Sequence, residues 1–582
     1  MNILGLVCTS HDAGLALLSD GVPKLILEEE RLNRIKHTIR YPRRSVDTLL
    51  APGGDLKLSD IDVITCPWDM KRIRRSIKDA VFANLPQSLN LLRNDAHRTH
   101  NTGLFNVPLR LHLGLYSQGY AKHPPIVQVG HHESHASIFF ASPFEEASIL
   151  VADGYGDDGA TSVWTGRGNR IERQWSDNMF DSLGMIYTFV TEHLGFKFSE
   201  EGTVMAVAAL GEPSYKEKFK DLIRLVPGGR ITINKDYVKY NTHGFIEPWQ
   251  PKFYEVFGPR RNRSEPLTLR HYDLAWALQH WTEEALLHIT RELYRVNKSK
   301  NLIISGGVAL NCVANARILN ETEFEKLWVP PVASDTGVSF GSALYHWHQT
   351  LGNKRSFELT HAFYGMEFSD AEIVAALSAA GLIFEKMTEA DLLKRVAKDL
   401  SEQKIVGWFQ GRAEIGPRAL GNRSILSSAA SNSMKDLINA RIKHREAFRP
   451  FAPVVLVEKL SEYFEYDQPD PFMTMAPKIR PEKLSIIPAA AHVDGTGRIQ
   501  TIDRVSNPRY YGVIEEYEKI TGVPVILNTS FNRQEPVVNS PTEAISCYLR
   551  TDMDRVVLGD YYVSDRNEAA IKRAHDRFKK PV

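Results

Sequence analysis

ILGLVCTSHDAGLALLSDG (residues 3–21) and ILVADGYGDDGATSVWTGR (residues 149–167) decide the fold, because they repeat one design. Each opens as a run of apolar residues, breaks in a turn rich in Gly and Asp, and resumes as a second run. A third strand pattern follows each copy, PKLILEEE after the first and NRIERQW after the second. In a single fixed register Asp12 falls on Asp158, His11 on Asp157 and Leu17 on Val163. One such hairpin is an ordinary element. Two of them, far apart in one chain, predict a duplicated domain with two facing turns. The backbone N–H groups of such turns can hold phosphates, and their Asp side chains can hold a metal or water.

Paired units of this kind resemble the actin-like sugar kinase and Hsp70 ATPase superfamily. NLIISGGVALNCVANARIL (301–319) adds a strand, a turn at Gly306 and Gly307, and a helix, a unit that lets a nucleotide approach the backbone. SDTGVSFGSALYHW (334–347) puts Asp335 in a loop that opens a helix of small residues. The polar, aperiodic stretch GNKRSFELTHAF predicts a boundary, with a first domain over 1–355 and a second over 356–582. In the second domain SDAEIVAALSAAG reads as a capped helix, and KIVGWF, FAPVVLV and GVPVILNTSF read as strands. The first domain is therefore expected to be α/β, and the second α/β or α+β.

The 582 residues carry 71 Lys and Arg against 70 Asp and Glu, a net charge of +1, so no global field points to nucleic acid or to a membrane surface. Cys8, Cys66, Cys312 and Cys547 are far apart in sequence, which argues against a disulfide framework and fits a reducing compartment. No apolar run approaches the roughly 20 residues of a spanning helix. The N-terminus reads as a strand, and a cytoplasmic protein is the expectation.

Against that neutral background, three patterns concentrate chemistry. HHESHAS (131–137) places His131 and His135 one helical turn apart, a separation suited to one metal ion. Incidental surface histidines are the plainer reading of H-x-x-x-H alone. Asp153 and Asp335, each at a loop after an apolar run, favour a site, and two imidazoles with carboxylates suit Fe, Mn or Zn better than Mg. His11, in the first turn, reads equally as a general base or as a histidine bonded to its own turn. The third pattern is basic. GRAEIGPRALGNRSIL (411–426) holds Arg412, Arg418 and Arg423, and MKDLINARIKHREAFRPFAPVV (434–455) holds Lys435, Arg441, Lys443, Arg445 and Arg449. A solvated helix paired with Glu414 and Glu446 would explain part of it. Pro417 and Pro450 beside arginines, and apolar neighbours Leu420, Phe448 and Phe451, predict instead partly desolvated cations that need an anion. HVDGTGRIQT adds Arg498, and LNTSFN adds Asn528, Ser530 and Asn532, which can orient a small carbonyl compound.

EEERLNRIKH (28–37), HHESHA, DGYGDDG, SGGVALN, GRAEIGPRALGNRSIL, IKHREAFRPFAPVV, HVDGTGRIQT and PVILNTSFN, in that order, resemble the ATP-dependent O-carbamoyltransferases of nodulation-factor, cephamycin, aminoglycoside, ansamycin and saxitoxin biosynthesis. The resemblance runs from the first strand to about residue 560. It implies an N-terminal actin-like domain similar to the tRNA threonylcarbamoyl-transferring enzyme, and a C-terminal domain similar to threonylcarbamoyl-adenylate (YrdC-like) synthases. Carbamoyl phosphate and ATP, the latter with Mg, would form carbamoyl-adenylate in the second domain. The first would transfer the carbamoyl group to a hydroxyl of a small natural product. By motif position His131, His135, Asp153 and Asp335 would hold Fe(II) or a similar metal, and His11 would deprotonate the acceptor. Gly306, Gly307 and Asn311 would face the nucleotide. Arg418, Lys443, Arg449, Asn528 and Ser530 would bind carbamoyl phosphate, Arg418 and Lys443 as catalytic cations, with Arg412 and Arg498 on ATP. A homodimer is also implied. Gly14 stands where the family often has Ser. EGTVMAVAALGEP (201–213) departs from the G-K-x-M-G-L-A-P-Y-G form, which points to a different acceptor pocket. A tRNA-modifying enzyme would need a basic stripe that this chain lacks. A non-catalytic actin-like ATP-binding protein would need neither the His/Asp set nor the basic cluster.

Overall fold

Ile3 to Val7 are buried without interruption, as an apolar run covered on both faces must be. This strand, β1 (Asn2–Val7), is the middle of a sheet with β2 (Gly14–Ser19) and β3 (Val22–Glu28) on one side and β4 (Val63–Cys66) and β5 (Ile126–Gln128) on the other. The second repeat builds the same arrangement: β6 (Glu146–Ala152) lies between β7 (Thr161–Arg167) and β8 (Arg170–Ser176) on one side. On the other side it has β11 (Asn301–Ser305) and β12 (Lys326–Trp328). A two-stranded ribbon, β9 (Ile223–Val226) and β10 (Arg230–Ile233), stands apart from both sheets. Strand order is thus identical in the two halves, the duplicated α/β design expected from the repeat. The fixed register does not hold across the turn, however. Val7 pairs with Gly14 and Ala152 pairs with Thr161, so six positions separate the paired strands in one copy and eight in the other. Asp153, directly after its strand, therefore has the place of Cys8.

The structure described here, a computed structural model, covers residues 1–8, 12–51, 53–54, 56–92, 106–446, 448–565, 569 and 571–572. It divides into two units, Met1–Glu30 with His37–Leu359, and Arg31–Lys36 with Thr360–Val582. The division falls just after the expected boundary, and the short segment 31–36 joins the second unit. Its arginines explain why. Arg31 Nη2 donates to the Gly416 carbonyl at 2.6 Å and Arg34 Nη1 to the Val537 carbonyl at 2.7 Å. Arg34 also pairs with Glu543 at 3.1 Å.

Small residues set how closely the elements of the first unit pack. Helix Val338–Leu344 is buried throughout. A Cβ on Gly341 would stand 1.9 Å from the Ser134 carbonyl oxygen, and one on Gly5 1.9 Å from that of Ser339. That helix therefore touches both β1 and helix His131–Ala136 backbone to backbone. Gly306 is the second fixed point. Its φ is 92°, and a Cβ there would stand 2.2 Å from the Ala152 carbonyl oxygen. Gly306→Ala is expected to destabilise the first unit by ~3 kcal/mol, from left-handed strain together with overpacking. Equilibrium unfolding of the variant against the wild type measures this.

The second unit is built on one mixed sheet in the order β13-β20-β19-β14-β15-β18-β16-β17. Its strands are β13 (Glu385–Lys386), β14 (Val406–Phe409), β15 (Arg423–Ser428), β16 (Ala452–Leu456), β17 (Gln500–Ile502), β18 (Val525–Ser530), β19 (Arg555–Leu558) and β20 (Tyr561–Val563). β18 is antiparallel to β15 and β16, pairing Ser530 with Ser424 and Asn528 with Ala452. β17 is parallel to β16, pairing Gln500 with Val454. The end of β18 and the starts of β15, β16 and β17 therefore share one edge. The segments carrying Arg418, Lys443, Arg449 and Arg498 all enter the sheet at that edge. Helix Asp370–Ala380 has the expected caps, Ser369 with Glu372 at its start and left-handed Gly381 at its end.

Candidate active site

Parallel strands deliver their C-terminal ends to one edge of a sheet, where α/β folds place ligand sites. In the first sheet β1, β4 and β5 run parallel, and in the second β6, β11 and β12 do. β5 leads into helix His131–Ala136, β6 into Asp153, β11 into Gly306, and β12 towards Asp335. Those ends converge. One ligand atom from each of His131, His135, Asp153 and Asp335 lies within 4.8 Å of the other three, and all four residues are buried. His131 Nε2 is 3.2 Å from Asp153 Oδ2 and 3.3 Å from Asp335 Oδ1, and His135 Nε2 is 3.2 and 3.4 Å from the same two oxygens.

The surroundings aim these atoms. His131 Nδ1 lies 3.3 Å from the Pro67 carbonyl and His135 Nδ1 3.3 Å from Ser305 Oγ. Such contacts hold the proton on Nδ1 and leave Nε2 as the lone-pair donor, the usual outer support of a metal-binding imidazole. Asp157 accepts from the His131 backbone N–H at 2.6 Å and from that of Asp69 at 3.0 Å, tying the helix start to the second turn. Trp68 stacks on the His131 ring at 4.0 Å. Burial opposes protonation of His131, but the carboxylates of Asp335 and Asp153 outweigh it and hold its pKa well above the ordinary histidine value. His132 instead donates or accepts at Ser162 Oγ, 2.8 Å away, and burial together with its histidine neighbours holds it neutral. His135 Nε2 is buried and makes no hydrogen bond. Two imidazole nitrogens and two carboxylate oxygens with that orphan among them fit a divalent transition metal.

Other first-unit candidates are engaged differently. Gly307 N–H donates to Asp153 Oδ1 at 3.2 Å, so the glycine turn positions a carboxylate of the set. Asn311 caps helix Cys312–Glu321 through Ala314 N–H and exchanges two 3.0 Å hydrogen bonds with Gln279, so its side chain is committed within the fold. Glu201 opens a helix, Glu201–Ala208, and accepts from Thr188 Oγ1 at 2.8 Å. His11 lies outside the described residues.

In the second unit the three arginines of the 411–426 stretch part company. Arg423 is fully buried. It donates to the carbonyls of Gln410, Asn422, Met366 and Gly411 and lies over the Phe409 ring at 3.6 Å. Burial pulls its pKa down to about 9. It is a structural residue, not the anion-facing cation that its neighbourhood suggested. Arg412, half-buried, donates to the carbonyls of Gly365 and Tyr364 at 3.1 and 3.0 Å. Arg418 is half-buried on the same loop. Glu414 Oε1 accepts from the N–H groups of Leu420, Asn422 and Arg423 and so shapes the loop.

Lys443 is 2% exposed, and its Nζ donates to the Ser530 carbonyl at 2.6 Å and to the Asn532 carbonyl and Oδ1 at 2.8 Å. Burial and then the Arg445 charge hold its pKa well below the lysine range. Arg445 bonds Asn439 Oδ1 at 2.8 Å; burial and the charges of Arg449 and Arg498 bring it to about 9. Arg449 pairs with Glu446 at 3.0 Å. Burial, opposed by Asp494 and aided by Arg498 and Lys435, brings His492 to about 4. Four mutually repelling cations thus crowd one edge of the sheet; Arg445, named in the basic cluster without a role of its own, is one of them, and His492, which the motif reading did not single out, joins the set. Gln500, equally missed, orders the last member. Its Nε2 donates to the Leu420 carbonyl at 2.8 Å, which turns its Oε1 towards Asn528 Nδ2 at 3.0 Å. Asn528 Nδ2 also donates to the Ala419 carbonyl at 3.0 Å. Its Oδ1, buried, has no partner and is an acceptor awaiting an N–H.

Two family models match this chain: Carbamoyltransferase N-terminus over residues 2–344 and Carbamoyltransferase C-terminus over 397–565. The chain belongs to the carbamoyltransferase family. Relatives agree along its length. Protein sll1178 of Synechocystis is 37% identical over 97% of this chain and 96% of its own. Nodulation protein NolNO of Sinorhizobium fredii is 35% identical over 96% and 79%. Nodulation protein NolO of Bradyrhizobium diazoefficiens is 35% identical over 75% and 79%. As a carbamoyltransferase the protein is an enzyme that moves a carbamoyl group from a donor to an acceptor. Among the described residues, no helix of this carbamoyltransferase is long and apolar enough to cross a membrane.

Proposed function

We propose that this enzyme is an ATP-dependent O-carbamoyltransferase working in two half-reactions. At the basic edge of the second unit, carbamoyl phosphate loses its phosphate to water, and the resulting carbamate oxygen attacks the α-phosphorus of ATP. Pyrophosphate leaves and carbamoyl-adenylate remains. In the first unit the hydroxyl of a small-molecule acceptor takes the carbamoyl group and AMP leaves. The observation that carries the reading is the Asn528 Oδ1 orphan beside crowded cations. A carbamoyl group offers N–H donors to that oxygen at one end and negative charge to Arg418, Lys443, Arg449 and Arg498 at the other.

His131, His135, Asp153 and Asp335 would hold the divalent metal, for which iron is the reading. When bound, that metal supplies Lewis-acid binding of the adenylate phosphate. Gly306 and Gly307 present backbone to the nucleotide, His11 belongs by motif position to the acceptor site, and Mg accompanies ATP. Incubation with ATP, carbamoyl phosphate and a panel of alcohols tests the proposal. Mass spectrometry should find one carbamoyl group gained by an alcohol, with one AMP formed per product. Carbamoylated alcohol formed without ATP would contradict it. Asn528→Ala should slow the first half-reaction about ten- to a hundredfold, the value of a hydrogen bond lost from a desolvated site. Pyrophosphate release at saturating ATP reads this effect.

A further inference from the structure

The edge that carries the four-residue His/Asp set carries a second polar group outside it. β1, parallel to β4 and β5, ends there, and the turn after it holds Asp12. Asp12 is 5% exposed, and its Oδ1 lies 3.1 Å from Nδ1 of His37. The His37 side chain is 40% exposed, so its ring reaches solvent. The His37 backbone is held separately, its N–H donating to Glu30 Oε2 at 2.9 Å. A buried carboxylate against one ring nitrogen keeps the proton on Nδ1 and leaves the lone pair on Nε2, the orientation of a general base. Burial and the carboxylates of Asp12 and Glu28 push the Glu30 carboxyl upward, and His37 lowers it in part. Asp12, Glu28 and Glu30 together make this corner negative, which favours the imidazolium that a base becomes.

We infer that Asp12 and His37 form an acid–base pair of the transfer step, with His37 as the proton acceptor and Asp12 as its positioning residue. This rests on the carbamoyl-adenylate reading above and adds a residue to the first-unit site. The acceptor oxygen bonds to the carbamoyl carbon while the bond from that carbon to the phosphate oxygen breaks. AMP leaves with the electron pair, and the hydroxyl proton goes to His37 Nε2 and then to solvent.

The test uses the full chain with ATP, carbamoyl phosphate and the alcohol that the panel identifies. Transfer is followed across pH, and the first half-reaction is followed separately as carbamoyl-phosphate-dependent exchange of labelled pyrophosphate into ATP. His37→Gln should leave exchange intact, lower transfer about a hundredfold or more, and flatten the ascending limb of the transfer pH profile. Asp12→Asn should keep that limb but move it to lower pH, because a carboxylate neighbour raises an imidazole pKa and its loss lowers it. Transfer and limb unchanged in His37→Gln overturn the inference, as does a limb that only His11→Ala removes. Exchange and transfer lost together in His37→Gln also overturn it, since a base for the second step alone cannot do that. Wild-type protein that catalyses no exchange removes the carbamoyl-adenylate reading itself, a result distinct from any of these.

Discussion

Lys443→Ala should reduce formation of AMP and pyrophosphate from ATP and carbamoyl phosphate by about 10²–10³-fold, the usual effect of deleting one preorganised donor to developing negative charge. The ammonium is 2% exposed and lies within 3.3 Å of four oxygens of Ser530 and Asn532. Three N–H bonds cannot fully serve four acceptors, so the group is centred among them and the Ser530 hydroxyl stays aimed at the same point. The substitution removes the charge and releases the end of β18. Arg445, Arg449 and Arg498 remain, so binding of the anion should weaken less than the rate. A kcat that falls with little change in KM is the expected signature. Rates within twofold of wild type would show that Lys443 only packs the loop.

His131→Ala should remove the bound metal, from one equivalent per chain to less than a tenth by elemental analysis. Each of the four residues is buried, and loss of one imidazole leaves two carboxylates facing each other with a single histidine. Carboxylate repulsion then raises a carboxylate pKa and works against refilling the site. Carbamoyl transfer should fall at least a hundredfold, while pyrophosphate release continues. Metal content unchanged in the variant would reject His131 as a ligand. Because Trp68 stacks on this ring, His131→Gln, which keeps more of the packing, separates lost coordination from lost stacking.

Much of this was readable from residues whose local geometry is strict. The paired hairpins announce themselves because an apolar strand must break at Gly and Asp to turn. His131 and His135 share a face because a helix repeats every 3.6 residues. Asp153 was recognisable as a strand-end carboxylate and Asp335 as one in a loop that opens a helix. The fixed repeat register failed beyond the turn because loops accept insertions that strands do not. Tertiary partners were not legible. No local signal says that Trp68 will stack on His131, that Gln500 will orient Asn528, or that 31–36 will join the second unit. Arg423 shows the limit most clearly: its stretch reads as anion-binding, yet its terminal nitrogens donate to four backbone carbonyls, those of Gly411 and Asn422 within the stretch and those of Gln410 and Met366 outside it. The Asp12–His37 pair was hidden for the same reason, since its members lie 25 positions apart.

The central claim is that the two units perform separable chemistry. Carbamoyl-phosphate-dependent exchange of labelled pyrophosphate into ATP tests it directly, because it requires neither acceptor nor transfer. The His131→Ala chain, stripped of metal, should exchange at the wild-type rate, and the Lys443→Ala chain should exchange about 10²–10³-fold more slowly. Exchange that disappears with the metal would contradict the account.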